Sequence, residues 1–132
     1  MSVTKIHPIE TSLNKAIDYI IDDKKTDERK LCTGFCCSPT TSAYEFDLVK
    51  RDAGQQGCTR ALTGYLAFHL IQSFEPGEVD YETAHKIGIE LADRVLKGKY
   101  QYVVATHIDR GHVHNHIIFN SVSMTDHKKY IS

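Results

Sequence analysis

No stretch of about 18 consecutive apolar residues occurs in this chain, so no segment is expected to span a membrane. Its first residues, MSVTKIHPIE, lack the apolar core of a secretory signal. Together the two absences give a cytoplasmic expectation with no membrane partner. Charge of one sign is not in excess either. Lys and Arg number 16 against 17 Asp and Glu, for a net charge of −1 with histidines neutral. Nucleic-acid-binding chains are ordinarily basic, so composition lends that class no support. Such a role would need charge segregated on one face, or a bound cation supplying local positive potential. Internal repeats and low-complexity tracts are missing too. The four cysteines, Cys32, Cys36, Cys37 and Cys58, lack the paired C-x2-C spacing of a structural zinc site. A disulfide framework is not expected in the cytoplasm, and they read as small, largely buried hydrophobes.

What is present is an ordinary globular composition. Of 132 residues, 41% are hydrophobic and 25% charged, which fits one domain over residues 1–132 with a real core. Weak alternation over residues 2–9 predicts a short strand ending near Pro8. Leu13, Ala16, Ile17, Ile20 and Ile21 recur at helical spacing, predicting a helix over 13–22 with Thr11 or Ser12 as cap. Residues 22–30 are charged and read as a loop, and 31–37 as a strand interrupted by Pro39. A helix over 41–52 follows, capped by Ser38 or Thr40, with Ala43, Phe46 and Val49 on one face. The stretch RDAGQQGCTR reads as a loop.

Residues 65–74 read as a long strand, ended by the turn Glu75-Pro76-Gly77-Glu78. Asp80 caps a helix over 81–96, which Lys97 and Gly98 stop. Two final strands, 100–107 and 113–122, join through a turn at Asp109-Arg110-Gly111. The order predicts an α+β domain: a largely antiparallel sheet of about five strands with helices packed on one face.

Four of the eight histidines fall in THIDRGHVHNHIIFN. Side chains alternate along a strand, so His112, His114 and His116 point one way, and the tight turn returns His107 beside the next strand. A register pairing His107 near His114 puts three imidazoles within reach of one ion. Buried unpaired, each ring would cost a few kcal/mol. As neutral ligands they leave open positions for water or substrate oxygens, the mark of a catalytic site. Asp109 either orients an imidazole or only shapes the turn. His69 faces the cluster or the core. His7 and His127 read as ordinary surface residues, and His85 as solvated on its helix. By periodicity alone, Tyr19 is an amphipathic residue at a core edge.

Three segments in order, AIDYIIDDKKT, YLAFHLIQSFEPGE and THIDRGHVHNHIIFN, resemble the three motifs of the relaxase or mobilisation nuclease family. The closest resemblance is to the single-tyrosine, VirD2-like class of HUH endonucleases. The third motif is matched at His107, Asp109, His114, His116 and Asn120. The resemblance implies an HUH-endonuclease-like fold and a catalytic relaxase domain. It implies that Tyr19 attacks a phosphate of single-stranded DNA at a transfer origin, leaving a 5′-phosphotyrosine and a 3′-hydroxyl. That bond conserves the phosphodiester energy, so the strand can be rejoined. His107, His114 and His116 match the ligands of one divalent ion, Mn2+ or Mg2+, and imidazoles suit Mn2+ better. His112 takes a position that is usually not a ligand. Ser73 matches a hydroxyl contact to DNA phosphate, with Glu78 assisting by hydrogen bonds. The base for Tyr19 is Asp109 or a metal-bound hydroxide; the sequence does not choose. Implied partners are relaxosome accessory proteins and a type IV coupling protein of a plasmid or conjugative element.

Family members usually continue past the point where this chain ends, at HKKYIS, so the expectation is a domain truncated at its C-terminal end. Two rival readings stand beside this one. One is a catalytically inactive remnant that binds metal and single-stranded DNA. The other is an H-x-H metal hydrolase drawing on Ser123 and Asp126.

Overall fold

The computed structural model describes residues 3–131. Ser2, expected at the start of the first strand, lies outside them. The order of elements is β1 (Val3–Ile9), α1 (Leu13–Ile20), β2 (Cys32–Phe35), α2 (Ser42–Gln55), β3 (Ala67–Ser73), α3 (Tyr81–Leu96), β4 (Tyr102–His107) and β5 (His114–Asn120), with short 3-10 turns at Pro39–Thr41 and Thr59–Leu62. The five strands form one sheet in the order β1-β3-β5-β4-β2, every pair antiparallel. This is the α+β sheet expected from the sequence, with β5 at its centre. Pro8 sits within β1, where only one side of the strand is paired, and an edge strand tolerates its missing N–H.

Strand alternation divides the sheet into two faces. On one, Ile9, Ala67, Val103, Ala105 and Ile118 pack with Leu13, Ile17 and Ile20 of α1 and with Phe46 of α2. On the other, Phe68, Leu70, Tyr102, Val104, Ile117 and Phe119 pack with Ala92 and Leu96 of α3. Helices therefore cover both faces, not one as expected. A helix's apolar stripe shows that it packs on a sheet, but not on which side. The central strand is consequently buried on both faces. Its interior residues Ile117, Ile118 and Phe119 form a continuous apolar run and are all fully buried.

Local chemistry accounts for the helix ends. Asp80 accepts the Thr83 amide at 2.7 Å and caps α3, while Lys97 closes it in the left-handed conformation at φ 54°. The caps expected elsewhere do not form. Ser12 stands at the N-cap of α1 but adopts φ 56° and makes no side-chain cap bond. At the start of α2, Glu45 reaches back instead, its Oε2 accepting from the Ser38 amide and the Thr41 hydroxyl. That helix also runs on into RDAGQ, expected as loop. Its glycine is suited to close packing: a Cβ on Gly54 would meet the Leu62 side chain at 2.7 Å.

Candidate active site

The histidines gather where the C-terminal ends of β3 and β4 meet the N-terminal end of β5. Register places His107 opposite His114, and His114 opposite Ser73. In the other direction His116 lies opposite Ala105 and Ile71. A cleft of about 380 Å3 is lined by these three histidines together with Tyr19, Ser73, Asp109, His112 and Ile71, and by the cations Lys5, Lys25 and Arg110. His112 lies outside β5, exposed, with its ring 4.3 Å from that of His114. Glu78 is not among the lining residues. It turns back on its own loop, its Oε1 accepting the Glu75 amide at 2.8 Å.

The imidazoles are held in defined ways. His107, 4% exposed, has Nε2 at 2.8 Å from the Ile20 carbonyl. A carbonyl only accepts, so Nε2 carries the proton and Nδ1 keeps the lone pair. The His116 ring centre is 4.1 Å from that of His107 and 6.2 Å from that of His114. Its Nδ1 lies 2.9 Å from His69 Nε2. His69 thus faces the cluster, and His7, exposed as expected, continues the row with ring centres 5.0 Å apart. Burial, reinforced by the neighbouring imidazoles, holds His116 far below the usual imidazole range. His69 is pushed down to about 4, chiefly by burial. Burial also lowers His107 and His114. The rings are therefore neutral at neutral pH, the state in which imidazole ligates a metal.

As a donor set, three neutral imidazoles suit one divalent ion in chemistry. Imidazoles on a common ion at about 2.1 Å place their centres roughly 5 Å apart, which the two observed separations bracket. The lone pairs are not converged: among the described residues, no three His, Cys, Asp or Glu side chains close into a metal-binding group. Two of the candidate rings are instead turned to protein partners, His107 to Ile20 and His116 to His69. Each keeps its second nitrogen.

Tyr19 reaches the cleft from the last turn of α1. Leu13, Ile17 and Ile20 bury one side of that helix, leaving Tyr19 52% exposed. Its ring stands edge-on to His107 at 5.8 Å and to His116 at 6.4 Å. Asp109 pairs with the Lys25 ammonium at 3.4 Å rather than with a histidine. Lys25 also sits over the Tyr19 ring, 5.1 Å from its centre. Lys25 falls within AIDYIIDDKKT, but its loop gives no register from which to place it beside Tyr19 and Asp109. Lys5 shares its strand face with His7, but only the β1–β3 pairing reveals its place. Ser123 and Asp126 lie outside the cleft, and the Ser123 hydroxyl accepts the Thr125 amide.

The opposite face of the same strands carries a buried polar chain. Thr106 donates its single hydroxyl proton to Asn115 Oδ1 at 2.6 Å, so it must accept from His85 Nδ1 at 2.8 Å. His85 Nε2 then accepts from the Thr33 hydroxyl at 2.7 Å. Asn115 Nδ2 donates to Gln72 Oε1 and to the Ala84 carbonyl. His85 is thus buried and bonded at both nitrogens, not solvated as expected. It extends the buried side of α3 that runs through Ala84, Gly88 and Ala92, a periodicity visible in the sequence. Asn115, between His114 and His116, is wholly buried and anchors their strand to α3.

The loop after Tyr19 is braced unusually. Asp27, Glu28 and Arg29 adopt φ of 53°, 57° and 67° in succession, a left-handed turn that costs non-glycine residues about 1–2 kcal/mol each. Buried Thr26 offsets part of this, donating to the Asp22 carbonyl and accepting the Arg29 amide. The Ile108 amide donates to the Lys25 carbonyl at 2.8 Å, tying this loop to the end of β4.

The chain is 34% identical over its whole length to a protein named rlx from Staphylococcus aureus, spanning 38% of it. It is 33% identical over 121 residues, 91% of this chain, to the group II intron-interrupted relaxase LtrB of Lactococcus lactis subsp. cremoris (strain MG1363), spanning 20% of that protein. The chain thus spans well under half the length of these relatives. Residues 19–132, from Tyr19 onward, match the relaxase family described as MobA/VirD2-like, nuclease domain, and the chain belongs to that family.

Proposed function

We propose that this chain nicks and rejoins single-stranded DNA at a transfer origin, with Tyr19 as nucleophile and one divalent ion, Mn2+ or Mg2+, held by His107, His114 and His116. The observation that carries it is the placing of Tyr19, from an early helix, edge-on to two imidazoles of a hairpin far downstream in one cleft. In the reaction the Tyr19 oxygen bonds to phosphorus while the P–O3′ bond breaks. The phenolic proton is lost to solvent, which reaches the exposed Tyr19, and the departing 3′-oxygen takes up a proton. Reversal rejoins the strand. When bound, the ion supplies positive charge to the phosphate oxygens. Ser73, opposite His114, offers a hydroxyl to the DNA backbone. His69 orients His116: if His116 ligates through Nε2, its Nδ1 proton is donated to His69 Nε2. Relaxosome and coupling-protein partners belong to the same reading of the whole protein.

The test is incubation with a labelled single-stranded oligonucleotide library and Mn2+, followed by denaturing electrophoresis. The wild type is expected to form a covalent protein–DNA adduct and Tyr19→Phe none, with the fold unchanged because Tyr19 is exposed. Cleavage undiminished in Tyr19→Phe would indicate hydrolysis instead. No adduct from either protein would indicate the inactive remnant.

A further inference from the structure

We infer that Lys25 is a phosphate-binding catalytic residue of this site, and that Asp109 serves to hold it there rather than to act as a base. The inference rests on the nuclease reading above and deepens it. Several observations converge on Lys25. Its ammonium lines the cleft, lies over the Tyr19 ring at 5.1 Å, and is only 3.4 Å from the Asp109 carboxylate. Its side chain is 20% exposed, and its bond to Asp109 lies at the exposed surface of the cleft, open to an incoming phosphate. Its backbone is fixed from both sides: the Lys25 amide donates to the Asp22 carbonyl and the Lys25 carbonyl accepts the Ile108 amide. The left-handed turn that immediately follows persists only because buried Thr26 and its neighbours over-determine it.

A lysine fixed through its backbone and an ion pair differs from a freely rotating surface lysine. Ammonium is a compact point charge suited to one phosphate oxygen, and a preorganised cation stabilises charge that grows in a transition state. The phosphate that Tyr19 attacks must come within bonding distance of its hydroxyl, which brings a non-bridging oxygen into the space beside Lys25. Lys5 and Arg110 line the same cleft, but it is Lys25 that lies over Tyr19 and pairs with Asp109. The Asp109 carboxylate, already committed to this ion pair, is a positioning residue.

The experiment has two arms, each on the full chain. In the first, binding of a fluorescein-labelled random-sequence single strand is followed by anisotropy in EDTA across a salt series. Removing one phosphate contact lowers the salt slope by about 0.7 for single strands. Lys25→Ala is expected to show that drop with a several-fold loss of affinity, Lys25→Arg to recover most of it, and exposed Lys24→Ala to change neither slope nor the adduct rate. In the second, adduct formation with the oligonucleotide library and Mn2+ is expected to slow about 100-fold in Lys25→Ala, partly restored in Lys25→Arg. Thermal melts of each variant accompany both arms. A wild type that forms adduct while Lys25→Ala keeps its salt slope and adduct rate overturns the role of Lys25 and leaves the nuclease standing. A change confined to melting temperature reduces Lys25 to a structural ion pair. No adduct from the wild type overturns both readings.

Discussion

Lys50 carries a charge into a place where few charges survive. It is 5% exposed, burial pushes its ammonium down to about 8, and its Nζ donates to Asn120 Oδ1 at 2.6 Å. Asn120 in turn donates to the Phe46 carbonyl and to Gln101. Asn120→Ala would strand the ammonium and two acceptors, so a loss of about 2–4 kcal/mol is expected in urea unfolding. His85 gives a prediction in pH. Burial holds it below the ordinary imidazole value of 6.5, so the folded state binds fewer protons than the unfolded chain. Its contribution is then present above pH 6.5 and lost as pH falls below that value. In thermal melts, the stability gap between wild type and His85→Gln should narrow from pH 7.5 to 5.5; a constant gap would refute the assigned hydrogen-bond chain. At this scale the sequence was informative wherever spacing carried the chemistry, as in His107 and the H-x-H of His114 and His116. It did not place Lys25, which a loop brings to the cleft, nor Lys5, and it left His69 undecided, because the last two depend on pairing between distant strands. Glu78, carried over by resemblance, accepts the Glu75 amide, and its part in DNA binding stands as a proposal.

The contact between α3 and β5 joins a helix to the strand that holds the histidines. A Cβ on Gly88 would meet Asn115 Nδ2 at 2.7 Å and Val104 Cγ1 at 3.1 Å. Gly88→Ala gains up to about 1 kcal/mol of helix propensity yet overpacks a contact with no room to give, at about 1–3 kcal/mol. Net destabilisation is expected in urea, with weaker Mn2+ binding by calorimetry as β5 shifts. The long helix α3 was legible end to end because Asp80 and the Lys97-Gly98 stop bound a clear apolar period. Short elements were legible in existence but not in length. The strand expected over 65–74 forms ladder pairs only at Ala67–Ser73, since the number of paired residues depends on what the neighbouring strand offers. The helix expected over 41–52 gains its last turn from packing, through Gly54 on Leu62, that composition does not announce.

For the whole molecule, the placing of helices on both faces decides what is left open. Among the described residues no helix is long and apolar enough to cross a membrane. The chemistry-bearing side chains collect in one cleft. If one ion is held there, it binds the folded state alone, since the unfolded chain has no preformed site. Saturation at about 100 times its dissociation constant should then stabilise by about 2.7 kcal/mol. Differential scanning calorimetry with and without Mn2+ tests this, with His114→Ala expected to abolish the shift; an equal shift in that variant would place the ion elsewhere.

The alternation of β5 has a consequence for anyone who mutagenises it. His114, His116 and Ile118 face one way, and Asn115, Ile117 and Phe119 the other. A saturation library across this strand should therefore yield two interleaved tolerance profiles. Substitutions at His114 and His116 should leave soluble yield intact and remove binding, while those at Asn115 and Ile117 should lower yield first. Loss-of-function alleles would be expected in α3, at Gly88 and His85, among residues on the side of the sheet away from the cleft. A genetic screen alone would record those positions as part of the active site.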